Sequence, residues 1–350
     1  MTVKLTICGK PVEAQENWTI LEAAESIGIK IPRLCYMKGL SEPMHCRICS
    51  VKVKGRPRTV PACGTKVADG MEVVAFDDEL EAFRKTLIET MLTTGHHNCY
   101  SCESNGKCEL QDLAYQYGIE ITTMPEDEKT WDYIETSEVL ALDRNKCILC
   151  GRCVRTCSEK VLSFVYDFAN KGYQTYLNIG ASEEFQEANC VSCGNCVQAC
   201  PTGALSMKNA RGVGRTWEFD KVQSLCPYCG VGCKLELWVK DNKIERVYGM
   251  DGQDNNELTC VKGRFGLDFV GHKDRLTDPL IRKNGKLEKA SWDEALNLIA
   301  SKFTQIKKES GPDAFAGLAS AKVTNEENYL FQKFMRAVLG TNNVDHCARL

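Results

Sequence analysis

Apolar and polar residues alternate near the start of the chain. Val3, Leu5 and Ile7 are separated by single polar residues, which is the two-residue period of a strand with one buried face. Val51 and Val53 repeat this alternation further along the chain. The pattern predicts a small unit that is rich in β-strands.

One helix is predicted inside this unit. Thr19 and Glu22 have the spacing of a capping box, in which each side chain bonds the main chain of the other residue. Gly28 can end the helix, because glycine readily adopts the left-handed conformation found at helix C-termini. The order of hairpin, helix and loop suggests a β-grasp fold over residues 1–78.

A second helical pattern follows the β-rich unit. Apolar residues recur at helical spacing over residues 79–92 and lead into a loop rich in histidine and cysteine. We assign residues 79–119 to this unit. The acidic stretch at 125–135 is then expected to be an exposed connector.

Two similar cysteine-rich segments come next, CILCGRCVRTC from residue 147 and CVSCGNCVQAC from residue 190. This internal repeat predicts two pseudo-symmetric halves within residues 138–209. Another cysteine module occupies residues 219–274. The expected fold class is therefore α+β, with several domains along the chain.

The last part of the chain, residues 275–350, contains few cysteines. A short buried strand is predicted at 314–318, and Thr324 with Glu327 has the capping-box spacing of a helix start. A doubly wound α/β sheet needs several parallel strands to cover its helices, and one or two appear here. We expect this region to be the incomplete start of an α/β domain.

Charge and hydropathy exclude two classes of function. The chain has 44 Lys and Arg against 47 Asp and Glu, and its net charge of -3 gives no general attraction to nucleic acid. No apolar run approaches the roughly 20 residues of a membrane-spanning helix, and the first residues lack a signal-peptide pattern. We expect a cytoplasmic protein without a membrane span or a nucleic-acid partner.

Cysteine is the outlier of the composition, with 21 of 350 residues. Disulfides are rare in a reducing compartment, and cysteines separated by two, three or five residues seldom meet the geometry of a disulfide bridge. We therefore interpret the cysteines as ligands of metal or iron–sulfur centres.

The first two cysteine groups lie in the amino-terminal third of the chain. The first group contains Cys35, Cys46, Cys49 and Cys63. Four thiolates suit a 2Fe–2S centre, with a structural zinc ion as the alternative.

The second group combines three cysteines with an upstream histidine: His96, Cys99, Cys102 and Cys108. This set fits a 4Fe–4S centre with one imidazole ligand, for which we favour His96 over His97.

The repeated segments both match the C-x2-C-x2-C-x3-C run of bacterial two-cluster ferredoxins, in which the fourth cysteine ligates the other cluster. One 4Fe–4S site is then expected from Cys147, Cys150, Cys153 and Cys200. The other is expected from Cys190, Cys193, Cys196 and Cys157. Zinc is a poor rival for four cysteines within eleven residues.

A final group of four cysteines suggests a further 4Fe–4S centre. It contains Cys226, Cys229, Cys233 and Cys260. One 2Fe–2S and four 4Fe–4S centres in one chain predict a path for single electrons. The chain has no G-x-G-x-x-G or P-loop motif, so we assign flavin and NAD binding to a partner.

With these motifs, the chain resembles the N-terminal part of the catalytic subunit of cytoplasmic, NAD-linked, molybdenum- or tungsten-dependent formate dehydrogenases. The resemblance implies that LCPYCGVGC and Cys260 introduce a molybdopterin-binding fold, with Lys262 between that cluster and the pterin. It also implies a Mo or W bis-molybdopterin guanine dinucleotide and formate or CO2 as the substrate. The implied partners are flavin- and NAD-binding iron–sulfur subunits, with ferredoxin or a hydrogenase as further partners.

The final segment, NNVDHCARL, resembles the sequence that runs into the metal-ligating cysteine or selenocysteine of these enzymes. The resemblance places His346 and Arg349 near the active site and the metal ligand at position 351. A selenocysteine codon acting as a stop would explain a chain that ends at Leu350.

The alternative interpretation is a stand-alone iron–sulfur adaptor, similar to a subunit of complex I or of a hydrogenase, without a pterin site. The sequence leaves open molybdenum or tungsten, NAD or NADP, the direction of the reaction and electron bifurcation with ferredoxin.

Overall fold

The computed structural model describes residues 1–125, 129–251, 255–321 and 323–347. The chain forms two compact units, Met1–Asp220 and Lys221–Leu350. Both units combine helices with short strands, so the fold is mixed α/β.

Most of the α-helices are short. In chain order they are α1 (Ile20–Ser26), α2 (Asp78–Thr93), α3 (Glu109–Gln116), α4 (Arg152–Arg155), α5 (Asn195–Ala199), α6 (Val261–Phe265), α7 (Trp292–Ser310) and α8 (Asn325–Lys333). The strands, in the same order, are β1 (Thr2–Ile7), β2 (Lys10–Gln15), β3 (Ser50–Val53), β4 (Val60–Pro61), β5 (Glu72–Val74), β6 (Tyr133–Ile134), β7 (Leu140–Asp143), β8 (Tyr166–Ala169), β9 (Tyr176–Ile179), β10 (Leu205–Met207), β11 (Asp220–Leu225), β12 (Lys234–Lys240), β13 (Lys243–Gly249), β14 (Leu280–Lys283), β15 (Lys286–Lys289), β16 (Gly317–Ser320) and β17 (Val344–Cys347).

The amino-terminal sheet has the strand order β2-β1-β5-β3-β4. Strands β1 and β2 form an antiparallel hairpin, while β1 and β5 run parallel. Val3, Leu5 and Ile7 point inward and are buried, which confirms the prediction from their alternation. Helix α1 packs its apolar face into the same core.

Helix α1 begins at the predicted capping box. The Thr19 hydroxyl accepts a hydrogen bond from the Glu22 N–H at 3.2 Å, and the Glu22 carboxylate accepts one from the Thr19 N–H at 2.7 Å. The helix ends just before Gly28, which has a φ of 77°. The structure confirms the start and the end predicted for this helix.

One buried arginine fixes helix α2 to the amino-terminal sheet. The Arg84 guanidinium is fully buried and donates to the carbonyl oxygens of Ile48, Ser50 and Ala75 at 3.0, 2.9 and 2.7 Å. Ile48 and Ser50 flank Cys49 in the chain. Arg84 therefore holds the loop that carries a candidate ligand.

The repeated cysteine segments form two similar local structures. Gly151 precedes α4 and Gly194 precedes α5, and both have a φ of 70°, which side chains with a Cβ rarely adopt. Helix α4 continues into a wider, π-type helical turn over Thr156–Val161. Strands β10, β7 and β6 form a small sheet in the same unit.

The second unit starts with the sheet β11-β12-β13. Strands β12 and β13 form an antiparallel hairpin on which Leu235 and Val247 are buried. Strands β14 and β15 form another hairpin, whereas β16 and β17 pair in parallel. The side chains on one face of helix α7, including Trp292 and Leu296, are exposed.

Two predictions for the last region have different outcomes. The Thr324 hydroxyl accepts from the Glu327 N–H at 3.2 Å, and Glu327 accepts from the Thr324 N–H at 2.8 Å, so the second capping box is confirmed. The strand expected at 314–318 begins instead at Gly317. This boundary was wrong because Pro312–Ala314 forms a 3-10 turn.

Part of the predicted acidic connector, residues 126–128, lies outside the described residues. Within the part of the chain that the structure describes, no helix combines the length and the apolar character needed to cross a membrane.

Candidate metal centres

The four cysteines of the first group converge in the amino-terminal core. They are Cys35, Cys46, Cys49 and Cys63, and all are buried. The Cys35 N–H donates to the Cys46 Sγ, and the Cys46 N–H donates to the Cys35 Sγ, both at 3.5 Å. The Cys46 and Cys63 thiols donate to the Cys35 sulfur, which lowers the pKa of Cys35 to about 2. Converging sulfurs with N–H donors fit a centre whose ligands are thiolates.

The three cysteines of the second group line a small cavity. Cys99, Cys102 and Cys108 share this cavity with His97, and among the described residues that line it His96 does not occur. The His96 side chain is exposed, whereas His97 is partly buried. The structure thus brings His97 to the three cysteines, where the sequence favoured His96.

The ring of His97 has a defined orientation. Its Nε2 lies 3.0 Å from the carbonyl oxygen of Met91. A carbonyl only accepts hydrogen bonds, so Nε2 carries a proton and the neutral ring keeps its lone pair on Nδ1. Burial lowers the pKa of His97, which favours this neutral form. Metal-ligating histidines commonly donate their other N–H to a backbone carbonyl in this way.

The cysteines of the two repeated segments meet across the repeat. Burial, together with the charge of nearby Cys200, raises the pKa of Cys147 and Cys150 to about 12. Burial also raises the pKa of Cys190, with Cys157 among its charged neighbours. The last cysteine of each segment therefore lies near cysteines of the other segment.

Two sulfurs of the second segment accept hydrogen bonds. The Ser192 N–H donates to the Cys190 Sγ at 3.4 Å, and the Tyr166 hydroxyl donates to the Cys196 Sγ at 3.2 Å. The Tyr166 side chain is buried. Hydrogen bonds to ligand sulfurs are one of the ways in which proteins set the potential of iron–sulfur centres.

The site around Cys150 adjoins both upstream groups. Cys150 shares an apolar core with Cys35 of the first group. On another side, Gly203 follows Cys200 closely in the chain, and a Cβ on Gly203 would lie 2.4 Å from the Cys102 Sγ. Glycine at this position therefore allows the backbone to approach a sulfur of the second group.

The final group of four cysteines lies in the second unit. It contains Cys226, Cys229, Cys233 and Cys260. The Cys226 N–H donates to the Cys233 carbonyl at 2.9 Å, which closes the loop between them. Burial raises the pKa of Cys226, and the charges of Cys260 and Cys229 raise it further. These sulfurs therefore lie within electrostatic reach of one another.

Three other predicted site residues belong to this unit. Lys262 lies in α6, two residues after Cys260, and its side chain is exposed. His346 lies on β17 and is exposed, and its N–H donates to the Asp345 carboxylate at 2.8 Å. Arg349 lies outside the described residues.

Among the described residues, no three His, Cys, Asp or Glu side chains are placed to ligate one metal ion.

Several residues that shape these sites were missed from the sequence. Arg84 lies four residues from both Leu80 and Ile88 on the buried face of α2. A cation at an apolar position of a helix indicates a buried side chain with hydrogen-bond partners, so Arg84 could have been found from the sequence. Tyr166 and Gly203 had no comparable signal, because their contacts are made across long separations in the chain.

Five family models match consecutive parts of the chain. They are the 2Fe-2S iron-sulfur cluster binding domain (residues 1–77), the NADH-ubiquinone oxidoreductase-G iron-sulfur binding region (84–122), the 4Fe-4S dicluster domain (146–204), the molybdopterin oxidoreductase Fe4S4 domain (219–272) and the molybdopterin oxidoreductase (275–350).

Curated relatives match almost the entire chain. The NADPH-Fe(3+) oxidoreductase subunit alpha of Geobacter sulfurreducens is 38% identical over 354 residues, covering 99% of this chain and 40% of that protein. A G-type NADH-quinone oxidoreductase subunit of Rhizobium meliloti is 37% identical, with the same coverage. A Staphylococcus aureus protein provisionally named formate dehydrogenase is 31% identical, covering 99% of this chain and 39% of that protein. The chain thus spans about 40% of the length of these relatives.

A solved structure of an NAD+-reducing NiFe hydrogenase in the H2-reduced state is also similar. Its matching chain has a TM-score of 0.57 and 29% identity, and the match covers 61% of this chain and 90% of that one. The family models show iron–sulfur binding domains followed by molybdopterin oxidoreductase sequence along this chain. The chain is thus similar to the iron–sulfur part of molybdopterin oxidoreductases and of G-type NADH-quinone oxidoreductase subunits.

Proposed function

We propose that this module is the electron relay of a formate dehydrogenase. It would connect a Mo or W bis-molybdopterin guanine dinucleotide site to NAD through flavin- and NAD-binding partner subunits in the cytoplasm. Formate would be oxidised to CO2 with release of two electrons and one proton, and NAD+ would accept the electron pair. The proposal is supported by the molybdopterin models over residues 219–272 and 275–350 and by the formate dehydrogenase-like relative.

The observation that carries the relay is the arrangement around Cys150. Its neighbours include Cys200 from the other repeated segment and, through a shared core, Cys35 of the first group. When bound, iron–sulfur clusters supply transfer of single electrons. The chain's own residues bury Cys35 and Cys150 in one core, and holding its centres close together is what a relay requires of a protein.

We assign one 2Fe–2S and four 4Fe–4S centres to the cysteine groups. The 2Fe–2S centre would be held by Cys35, Cys46, Cys49 and Cys63. Two 4Fe–4S centres would be held by Cys147, Cys150, Cys153 and Cys200, and by Cys190, Cys193, Cys196 and Cys157. The last would be held by Cys226, Cys229, Cys233 and Cys260.

The remaining 4Fe–4S centre would be held by Cys99, Cys102 and Cys108 together with one histidine. His97 is the better candidate of the two adjacent histidines, because it lines the cysteine cavity and its Nε2–H is already bonded to Met91. His96, which the sequence favoured, is exposed. Separate His96→Ala and His97→Ala variants test this choice. Replacement of the ligand should alter the electron paramagnetic resonance (EPR) signal of one 4Fe–4S centre, whereas replacement of the other histidine should leave that signal unchanged.

Lys262 and His346 are the residues of this chain that we propose to face the pterin site, together with Arg349. Both Lys262 and His346 are exposed in the second unit and are therefore accessible to a large ligand. When bound, the Mo or W centre would supply the two-electron chemistry of formate.

A second candidate function is electron transfer between NAD(P)H and another acceptor, without formate. The higher identity to the NADPH-Fe(3+) oxidoreductase subunit, 38%, and the match to 90% of a chain of the NAD+-reducing hydrogenase favour this alternative. It differs from the adaptor interpretation of the sequence, which has no pterin site.

One experiment separates the two functions. The complete protein would be purified anaerobically with its partner subunits, and its cluster EPR signals would be recorded after addition of formate, of NADPH or of NADH. Formate alone should reduce the clusters if the protein is a formate dehydrogenase. Reduction by a nicotinamide nucleotide but not by formate, in protein shown to contain Mo or W, would contradict the first function and support the second.

A further inference from the structure

A buried arginine lies at the boundary between the first cysteine group and the first repeated segment. Arg155 is the last residue of α4, and its side chain is buried. One guanidinium nitrogen donates to the Ser41 carbonyl at 2.7 Å. The other donates to the Cys35 carbonyl at 2.6 Å and to the Cys150 carbonyl at 3.4 Å. A single side chain thus bonds the main chain of two cysteines that we assign to different centres.

The chemistry of arginine suits this position. Its guanidinium is planar, holds its donors in a fixed fork and stays protonated. The two terminal nitrogens therefore hold the Ser41 and Cys35 carbonyls of one loop, and one of them also meets the Cys150 carbonyl, so the guanidinium joins the two loops. Its positive charge is buried beside both cysteines, where charge interactions are stronger than in water.

A second contact joins the loop that follows Cys35 to the turn that follows α4, and it involves no cysteine. The Ser41 N–H and hydroxyl donate to the Glu159 carboxylate at 2.9 and 2.5 Å. This pair is exposed. Comparing the two contacts separates the joining of the loops from a direct effect on the cysteines. Glu159 only joins the loops, whereas Arg155 joins the loops and also bonds the main chain of both cysteines.

We propose that Arg155 is a positioning residue for electron exchange between the 2Fe–2S site and the 4Fe–4S site that includes Cys150. This inference rests on the proposed function, since it assumes that both sites hold clusters. In the exchange one centre loses an electron and the other gains it, and no proton leaves the guanidinium. Arg155 holds the two ligand loops at a fixed distance, and its charge stabilises the more negative, reduced state of both sites.

The test compares three variants of the full chain, each reconstituted anaerobically with iron and sulfide. Arg155→Met removes the charge and the donors, while Arg155→Lys keeps the charge and loses the fork. Ser41→Ala is the matched control, because it weakens the second contact and leaves the Ser41 carbonyl in place for Arg155. The measurements are iron content, midpoint potentials by EPR-monitored titration, and microwave power saturation of the 2Fe–2S signal, which reports a nearby paramagnetic centre.

We expect Arg155→Met to disfavour the reduced 2Fe–2S site about tenfold, which is about 59 mV for a one-electron couple. Its 2Fe–2S signal should also saturate at lower power, because the neighbouring centre is held less closely. Arg155→Lys should keep a potential near that of the wild type but show the same easier saturation. Ser41→Ala should match the wild type in both measurements.

Two outcomes would overturn the inference. One is wild-type potentials and saturation in Arg155→Met with its full iron content. The other is loss of iron from both Arg155 variants but not from Ser41→Ala, since Arg155 would then serve assembly of the site. A wild-type chain that takes up no iron would instead refute the proposed function.

Discussion

The hydroxyl of Tyr166 offers a test of how this protein sets the potential of one proposed centre. The hydroxyl donates to the Cys196 sulfur at 3.2 Å, and the ring is buried and packs edge-to-face against Phe185, with centroids 6.1 Å apart. Tyr166→Phe removes the hydrogen bond and keeps the ring. The substitution therefore changes the electrostatics at one sulfur with little change in packing.

The size of the effect follows from the nature of the bond. A hydrogen bond to a charged group contributes about 1.5–3 kcal/mol. The Cys196 sulfur carries negative charge in the oxidised centre too, and it gains only part of the electron that is added on reduction. We therefore expect the hydrogen bond to be stronger in the reduced centre than in the oxidised centre by about 1.4 kcal/mol. That difference is a factor of about ten, or about 59 mV for one electron. Because the hydroxyl favours the reduced state, Tyr166→Phe should lower the midpoint potential.

The assay is an EPR-monitored redox titration of the full chain, with iron content measured on the same samples. Tyr176→Phe is the matched control, since Tyr176 lies on β9, opposite the strand that carries Tyr166, and its ring packs against Trp131. One 4Fe–4S potential should fall in Tyr166→Phe, and none should change in the control. Equal potentials in Tyr166→Phe and wild type, with equal iron, would refute the argument that this hydrogen bond stabilises the reduced centre.

Three further predictions concern stability and assembly. Arg84→Met should lower the free energy of unfolding by about 3–5 kcal/mol, because three buried carbonyls lose their donor; urea denaturation measures it, and a loss below about 1 kcal/mol would contradict it. Gly203→Ala places a Cβ 2.4 Å from the Cys102 sulfur and should remove one 4Fe–4S EPR signal, whereas Gly271→Ala, where a Cβ meets no atom within 4 Å, should retain all signals. The pKa of Asp77 is lowered, first by Lys52 and then by the N–H groups at the start of α2, so its contribution to stability is present above its ordinary pKa and is lost as the pH falls below it. Urea midpoints measured from neutral pH to about pH 3 should therefore fall more steeply in the wild type than in Asp77→Asn, and equal slopes would disprove this linkage.

Local signals made some features predictable. The capping boxes at Thr19 and Thr324 were read correctly because both partners lie within one turn of the same helix. The alternation of Val3, Leu5 and Ile7 gave the buried face of β1 for the same reason. The strand near Gly317 was misplaced, since a competing 3-10 turn has no strong pattern in the sequence.

The sequence by itself determined the number and the spacing of the cysteines in each group, because short cysteine runs carry their pattern within a few residues. Tertiary structure decided which histidine lines the cavity of Cys99, Cys102 and Cys108, and how Arg155 contacts two groups. His97 and His96 are adjacent in the chain, and only packing determines which ring turns toward the cysteines. Arg155 lies 120 residues from Cys35, a separation that no local pattern can bridge. Contacts of this kind form only when separately folded segments pack together, and this is the physical reason why they could not be predicted from the sequence.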